Sequence, residues 1–520
     1  MVLDTSAVVA ILLNEPEKPL FLNQIDAESD VRISAASVIE TLVVLGGRLK
    51  RDESSTLKQF IRLGAIVIEP VTADQAWAAA DAYRRWGKGN HPAGLNFGEC
   101  FTYAPAKALG APLLFKGNDF ARTDVTAAVP CAPASEEDAM PIVNRIAELQ
   151  PELAAWRRHL HEHPELGFEE VQTSRFVAER LREFGVDEVH TGLARTGVVG
   201  VIRAGAGERA IGLRADMDAL PIEERSGRPW ASKSRGKMHA CGHDGHTTML
   251  LGAARYLAET RNFDGTVYLF FQPAEEGLGG GREMVADGLF ERFPAEQVFG
   301  LHNWPQIPIG QFAMCRGPAM AAADKFEVTL KGQGCHAAMP HLGRDPIVAA
   351  ALLVQAFQTI VSRQVDPMDN AVVSVTRIAG GDTYNVVPET VTLLGTVRTY
   401  KAETQAFIER RMREITAGIA AAQGLESTFA WQLGYPATVN SPREAELGAD
   451  AAAEIVGASN VDRDPLPAMG AEDFAFMLNE RPGSYIWMGS GGAEEGRVLH
   501  SPTFDFDDAA LPYGVSYWAR

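Results

Sequence analysis

Between residues 197 and 305 the chain alternates strand-like apolar runs with helix: GVVGVIRA, AIGLRAD, TMLLGAARYLAE, VYLFFQPAEE and QVFGLHNWP. No other feature of the sequence restricts the fold as much. Strands alternating with helices predict an α/β domain built on a mainly parallel, helix-covered sheet. Such sheets bind ligands outside the carboxyl ends of their strands. The reactive side chains follow the strand-like runs at those ends. IGLR leads to Asp216 and Asp218, VYLFF to Glu275 and Glu276, VFGL to His302, and the short run RVL to His500. HACGHDGH opens the helix DGHTTMLLGAARYL and brings Cys241, His243 and His246 to the same predicted edge.

Taken singly, these residues say little. A lone His302 is a packed or capping histidine, and Glu275–Glu276 alone is a solvated pair. Together they place a thiol, several imidazoles and carboxylates on one sheet edge, which is the donor inventory of a transition-metal site, and one for two metals. A cysteine nucleophile at Cys241 with His243 as its base is the competing chemistry. It does not call for so many carboxylates. A closed structural zinc site favours Cys-rich sets with paired spacings, unlike this one.

The chain has 520 residues with 46% hydrophobic and 22% charged, the balance of a protein able to build full cores. Its net charge of -19 argues against duplex DNA or a polybasic membrane contact. Residues 1–128 carry 13 Lys+Arg against 15 Asp+Glu, a net of -2, which leaves -17 for the remainder. Two modules are therefore expected. The Pro-rich, acidic stretch VPCAPASEEDAMP reads as the connection, with a linker over 129–140. A catalytic α/β domain is expected over 141–321 and again over 436–520. Between them, 322–435 changes texture to a β-α-β-β-α order and reads as an inserted α+β domain. Five scattered cysteines do not make a disulfide framework. The start of the chain lacks a basic n-region and no run has the length of a membrane span. A cytoplasmic, reducing setting is expected.

Residues 141–520 resemble the aminoacylase/carboxypeptidase metallopeptidase family, in its hippurate hydrolase and auxin-conjugate amidohydrolase branch. The resemblance is carried by HLHEHPELGFEE, LRADMDALP, HACGHDGH, FQPAEEG, GLHNWP, HAAMPHLGRDP, NVVPETVTLLGTVR, GAEDFAF and LHSPTFDFDD, in order. It implies an α/β catalytic domain with an inserted satellite domain, acting on N-acyl amino acids. It implies Cys241, His243, Glu276, His302 and His500 as ligands of two divalent ions, of Mn or Zn, with Co or Ni also compatible. It implies Cys241 as the bridging thiolate and Glu275 as the general base, taking a proton from the attacking water and passing it to the leaving amine. Asp218 would orient a ligand, and His246 has no firm role. His336 would polarise the substrate carbonyl, often in a partner subunit's site. Asn385 and Arg398 would hold the substrate carboxylate, Arg by its planar fork. Without the resemblance, Arg398 reads equally as a strand salt bridge. A homodimer through the satellite domain is implied.

Residues 1–128 resemble a PIN domain of the toxin ribonuclease type, on MVLDTSAVVAILLNEPE, ISAASVIET and LNFGECFTYAPAKALGAPLLFKGNDFARTDV. The resemblance implies an α/β/α fold whose acids Asp4, Glu40, Glu99 and Asp119 hold Mg or Mn for RNA cleavage. Glu99 stands where aspartate is usual, which changes ligand reach. Pro105 sits inside a predicted helix and removes a backbone donor. The main expectation is a metal-dependent amidohydrolase carrying a PIN-like domain. An RNA-cleaving toxin and a catalytically silent binding protein are the rivals.

Overall fold

The computed structural model describes residues 1–13, 15, 17–49, 53–87, 95–117, 120, 123–129 and 144–520. Asp119 and all but the first residue of the expected linker lie outside them. The chain divides into two compact units, Met1–Ala139 and Met140–Arg520.

The first unit is a four-stranded, all-parallel sheet in the order Val67–Glu69, Arg32–Ser34, Val2–Leu3, Leu113–Leu114. Its strands Val2–Leu3 and Leu113–Leu114 are apolar and buried, as a helix-covered parallel sheet requires, while the edge strand Val67–Glu69 is largely exposed. Two apolar clusters fill the unit, one around Leu3, Val8 and Ile33, the other around Cys100, Tyr103 and Phe120. The helix Phe97–Leu109 runs on through Pro105, which is buried.

The second unit is built on an eight-stranded sheet. Its order is Val461–Asp462, Phe312–Ala313, Gly483–Gly489, Gln297–Trp304, Ala210–Asp216, Gly265–Gln272, Gly197–Ala204, Glu188–Leu193. The four central strands are mutually parallel, so their carboxyl ends share one edge. GTVYLFFQ is buried along nearly its whole length, the continuous apolar run of a strand covered on both faces. Helix His243–Thr260 packs on the sheet with thirteen buried residues. The outer strands Gly197–Ala204 and Glu188–Leu193 are antiparallel, so the sheet is mixed.

The run RVL does not form a strand. His500 lies on a turn at φ +61°, with its N–H on the Ala240 carbonyl at 2.8 Å.

A separate antiparallel sheet has the order Ala371–Ala379, Thr390–Thr399, Ala322–Lys331, Glu426–Tyr435. The helices Pro346–Arg363 and Ala402–Ala422 share an apolar core with it, including Phe326, Leu353, Phe357, Val397 and Ile408. The strand Glu426–Tyr435 extends the β-α-β-β-α order read from the sequence. Among the described residues one helix, Pro346–Arg363, has the length and apolarity of a membrane span, contrary to the sequence expectation. Its residues Ala349, Ala350, Leu353, Phe357 and Ile360 are buried in that core.

Candidate metal centre

Three of the four central strands deliver side chains to the shared edge. Ala210–Asp216 ends at Asp216, with Asp218 just beyond. Gly265–Gln272 runs into Ala274, at φ +55°, and then Glu275 and Glu276. Gln297–Trp304 places His302 within its last turn of pleat. Gly242, at φ +93°, caps the helix that starts at His243, so Cys241 and His243 flank a left-handed turn. A Cβ at Gly242 would lie 2.2 Å from Asn303 Oδ1, so glycine is required by both conformation and space.

Ligand atoms of Cys241, His243 and His302 lie within 4.8 Å of one another, as do those of Cys241, Glu276 and His500 and those of His243, Glu275 and Glu276. Cys241 Sγ is 3.4 Å from His302 Nε2. His500 Nε2 stands 3.2 Å from Glu276 Oε1. Asp218 organises the group. Its Oδ1 and Oδ2 accept the N–H groups of Glu275 and Glu276 at 3.0 and 2.9 Å. Its backbone carbonyl receives His243 Nδ1 at 3.0 Å, which turns His243 Nε2 toward the cleft. That Nε2 and Glu276 Oε1 are buried without a hydrogen-bond partner.

Two further carboxylate groupings have other occupations. His246 donates from Nδ1 to Asp216 Oδ1 at 2.6 Å and accepts the Asn303 N–H on Nε2 at 2.9 Å, so neither ring nitrogen is free. Glu472 and Asp473 receive the fully buried Arg214 guanidinium at 2.8 and 3.1 Å, and Glu472 also accepts from Tyr485 at 2.6 Å. The sequence reading assigned no role to Arg214 or to these two acids. The stretch GAEDFAF carries both acids, and LRADMDALP carries Arg214, which was the available signal.

The charge balance favours cations. Among the described residues, Asp216, Glu472 and Asp473 bind the buried Arg214 guanidinium, and Asp218, Glu275 and Glu276 add three more carboxylates at the same edge. Buried charge of one sign is costly unless paired. Burial, and then the neighbouring Glu472, Glu276, Asp473 and Asp218 carboxylates, push the Glu275 carboxyl well above its ordinary range. Burial likewise pushes the Cys241 thiol up, reinforced by Glu276 and Glu275. A thiol so placed is a neutral thiol and a poor nucleophile. Burial opposes charge on His243, yet Asp216 and Asp218 hold its pKa up at about 10, so the acids already draw a cation to this position. A set of one thiolate, three imidazoles and a carboxylate suits Mn, Zn, Co or Ni.

The edge opens into a cleft of about 630 Å³. Cys241, Glu275, Glu276, His302 and His500 line one wall, and Lys325, Arg398 and Gln432 of the second sheet line the other. Arg398 is half-buried, bonds only to Thr396 and the Val397 carbonyl in the hydrogen bonds described, and makes no ion pair within 4 Å. His336 and Asn385 lie outside the cleft. They sit together on the satellite surface, where the Ala337 N–H reaches the Asn385 carbonyl at 2.9 Å and His336 Nδ1 accepts from Ala338 at 3.1 Å.

In the first unit, Asp4 caps helix Thr5–Leu12, with Oδ2 on the Ser6 N–H at 2.8 Å and Oδ1 buried without a partner. Glu40 accepts from Thr5 at 2.7 Å. Glu99 does not join them. It is the third helical residue of a capping box, its Oε2 on the Asn96 N–H at 2.7 Å. The added methylene lets the carboxylate fold back to its own helix end. Among the described residues, the acids of this unit form no metal-sized group of three.

Residues 212–520 match the profile of Peptidase family M20/M25/M40, and residues 1–125 match that of the PIN domain. The chain is 41% identical to the hippurate hydrolase of Campylobacter jejuni over 73% of its length and 98% of that protein. It is 42% identical to the N-acetyl-L-cysteine deacetylase of Bacillus subtilis over 72% and 88%. It is 39% identical to the IAA-amino acid hydrolase ILR1-like 2 of Arabidopsis thaliana over 75% and 90%. A Bacillus subtilis dinuclear metal-binding peptidase from the M20 family superposes with a TM-score of 0.63 at 36% identity, over 72% of this chain and 97% of that one. The chain belongs to Peptidase family M20/M25/M40 and carries a PIN domain at its N-terminus.

Proposed function

We propose that the chain hydrolyses the amide bond of N-acyl amino acids at two divalent ions held by Cys241, His243, Glu276, His302 and His500. The observation that carries this reading is that the five donors and Glu275 fall into three overlapping metal-sized groups, with Cys241, Glu275, Glu276, His302 and His500 lining the cleft and the buried His243 joining Cys241, His302, Glu275 and Glu276. We read 141–321 and 436–520 as the catalytic domain and 322–435 as the satellite. The bound ions supply Lewis acidity toward the amide carbonyl and acidify water.

The chain's own residues supply the rest. Glu275 takes the proton of the attacking water and delivers it to the leaving amine. Arg398, on the facing wall and without an ion-pair partner, receives the substrate carboxylate. His336 and Asn385 act from a partner subunit, since neither reaches the cleft of its own chain. The four described cysteines are free, in keeping with a reducing cytoplasmic setting.

Amino-acid release from N-acetyl and N-benzoyl amino acids tests the reading. Chelated enzyme should be inactive and Mn²⁺ or Zn²⁺ should restore release. Activity that survives chelation would instead identify Cys241 as a nucleophile. A second reading concerns the PIN domain. The unpartnered Asp4 Oδ1 beside Glu40 favours weak Mg²⁺ or Mn²⁺ binding and RNA cleavage. Mn²⁺-dependent cleavage lost in Asp4→Ala tests it.

A further inference from the structure

The turn Ala274–Gly279 carries both Glu275 and Glu276, and three side chains hold it. Asp218 binds the two glutamate N–H groups. Glu170 accepts the Ala274 N–H on Oε1 at 2.8 Å and the Thr196 hydroxyl on Oε2 at 2.7 Å. The third is Tyr435. Its hydroxyl donates to the Glu275 carbonyl at 2.6 Å and accepts the Gly279 N–H at 2.8 Å. Those two backbone groups have the spacing of an α-turn bond. The phenol oxygen stands between them and bridges the turn, beside the backbone bonds from Gly277 N–H to the Glu275 carbonyl at 2.7 Å and from Gly280 N–H to the Ala274 carbonyl at 3.0 Å.

Tyr435 does not belong to the sheet that carries this turn. It is the last residue of the satellite strand Glu426–Tyr435, where the chain passes back to the catalytic part. It pairs with Ala323, at the start of the strand by which the chain enters the satellite. The neighbouring Gly434 gives its N–H to Asp324 Oδ1 at 3.0 Å. A Cβ at Gly434 would lie 1.8 Å from the Ala323 carbonyl, so the two crossing strands are locked in close approach.

We infer that Tyr435 is a positioning residue, through which the satellite's seating at its two crossing strands fixes the turn that presents Glu275. This rests on Glu275 being the general base. The hydroxyl acts on backbone groups only, so its loss shifts the carboxylate without removing any ligand. A misplacement of this kind slows the chemical step more than it weakens substrate binding.

The test is Tyr435→Phe in the full chain loaded with Mn²⁺, assayed beside the unmodified protein, with hydrogen exchange by mass spectrometry on the segment 274–280. The expected result is a fall in kcat of about tenfold to a hundredfold, with KM within about threefold. The melting temperature should hold, and exchange should quicken in 274–280. An unchanged kcat overturns the inference, and so does a kcat loss matched by a general loss of melting temperature. If the unmodified protein releases no amino acid, the base assignment fails by itself. The exchange comparison then still decides Tyr435, since unchanged exchange in 274–280 overturns its role.

Discussion

Glu275 and Glu276 are neighbours with different surroundings, and their chemistry follows from that. Glu276 approaches Cys241 and His500, while Glu275 faces Glu472, Asp473 and Asp218. Glu275→Gln keeps the shape and removes the base. It should lower kcat by about 10²–10⁴-fold and leave the metal content of the purified protein unchanged. A variant that loses metal would reassign Glu275 as a ligand. A second residue-scale prediction concerns His161, whose Nδ1 lies 2.8 Å from Asp244 and Nε2 3.3 Å from Glu224. Burial disfavours its charged form, but the two carboxylates outweigh burial and hold its pKa up at about 9. The unfolded value is 6.5, so the imidazolium's stabilisation is full below that pH and fades as pH rises through 9. Urea midpoints should fall between pH 6.5 and 9.5 by the equivalent of about 3 kcal/mol, and His161→Gln should flatten that slope. Cys241, His243, Glu276 and His302 stood out in sequence as chemically unusual side chains beside a strand end or helix start, whereas His500 follows no strand, and it was the family resemblance that picked these five as candidate ligands. Tyr435 and Glu170 were not. They bind backbone groups, and no side-chain pattern marks which N–H a distant hydroxyl or carboxylate will find.

Among elements, the junction before helix His243–Thr260 combines a positive φ with a close approach. Gly242 must hold φ +93° with Asn303 Oδ1 where a side chain would go. Gly242→Ala should destabilise the second unit by about 1–3 kcal/mol and lower metal occupancy, since Cys241 and His243 flank the glycine. Full metal content in that variant would mean the turn tolerates a side chain and the ligands are placed otherwise. Three of the four central strands could be read because they are apolar runs covered on both faces, whereas Gly483–Gly489, equally buried, was not singled out. Phe312–Ala313 and Val461–Asp462 were not readable, because two residues carry no period. RVL misled for a related reason: two apolar residues after Arg497 carry no period that tells a strand from a turn. Pro105 was read as removing a donor inside its helix, and the element does run through it to Leu109 and ends in a left-handed Gly110, at φ +59°. The capping box at Asn96 and Glu99 supports the opposite end. That same cap draws Glu99 away from Asp4, so Glu99→Asp should release the carboxylate from the box. If the PIN acids form a metal site at all, this change should raise Mn²⁺-dependent RNA cleavage. Equal cleavage in both forms would show that Glu99 takes no part.

At the scale of the whole molecule the cleft of one chain is incomplete for the proposed reaction. It holds the metal donors, the base and Arg398, but His336 is an exposed residue on the satellite surface, beside Asn385. A symmetric dimer resolves this, because a two-fold axis makes each chain both donor and acceptor of the same residue. The consequence can be measured by mixing inactive variants. Glu275→Gln and His336→Ala homodimers should each be inactive, one lacking its base and the other its carbonyl-polarising group. In a mixed dimer, the site built on the His336→Ala chain has its own Glu275 and receives His336 from the other chain. The opposite site lacks both. Random exchange of subunits should therefore restore about a quarter of the normal activity. If mixing restores nothing although mixed dimers form, His336 serves its own chain, and the satellite must swing it into the cleft when substrate binds. If the chain sediments as a monomer while fully active, no partner contributes and the role of His336 falls to a group already in the cleft wall. Lys325 would then be the first candidate, since it faces the same space.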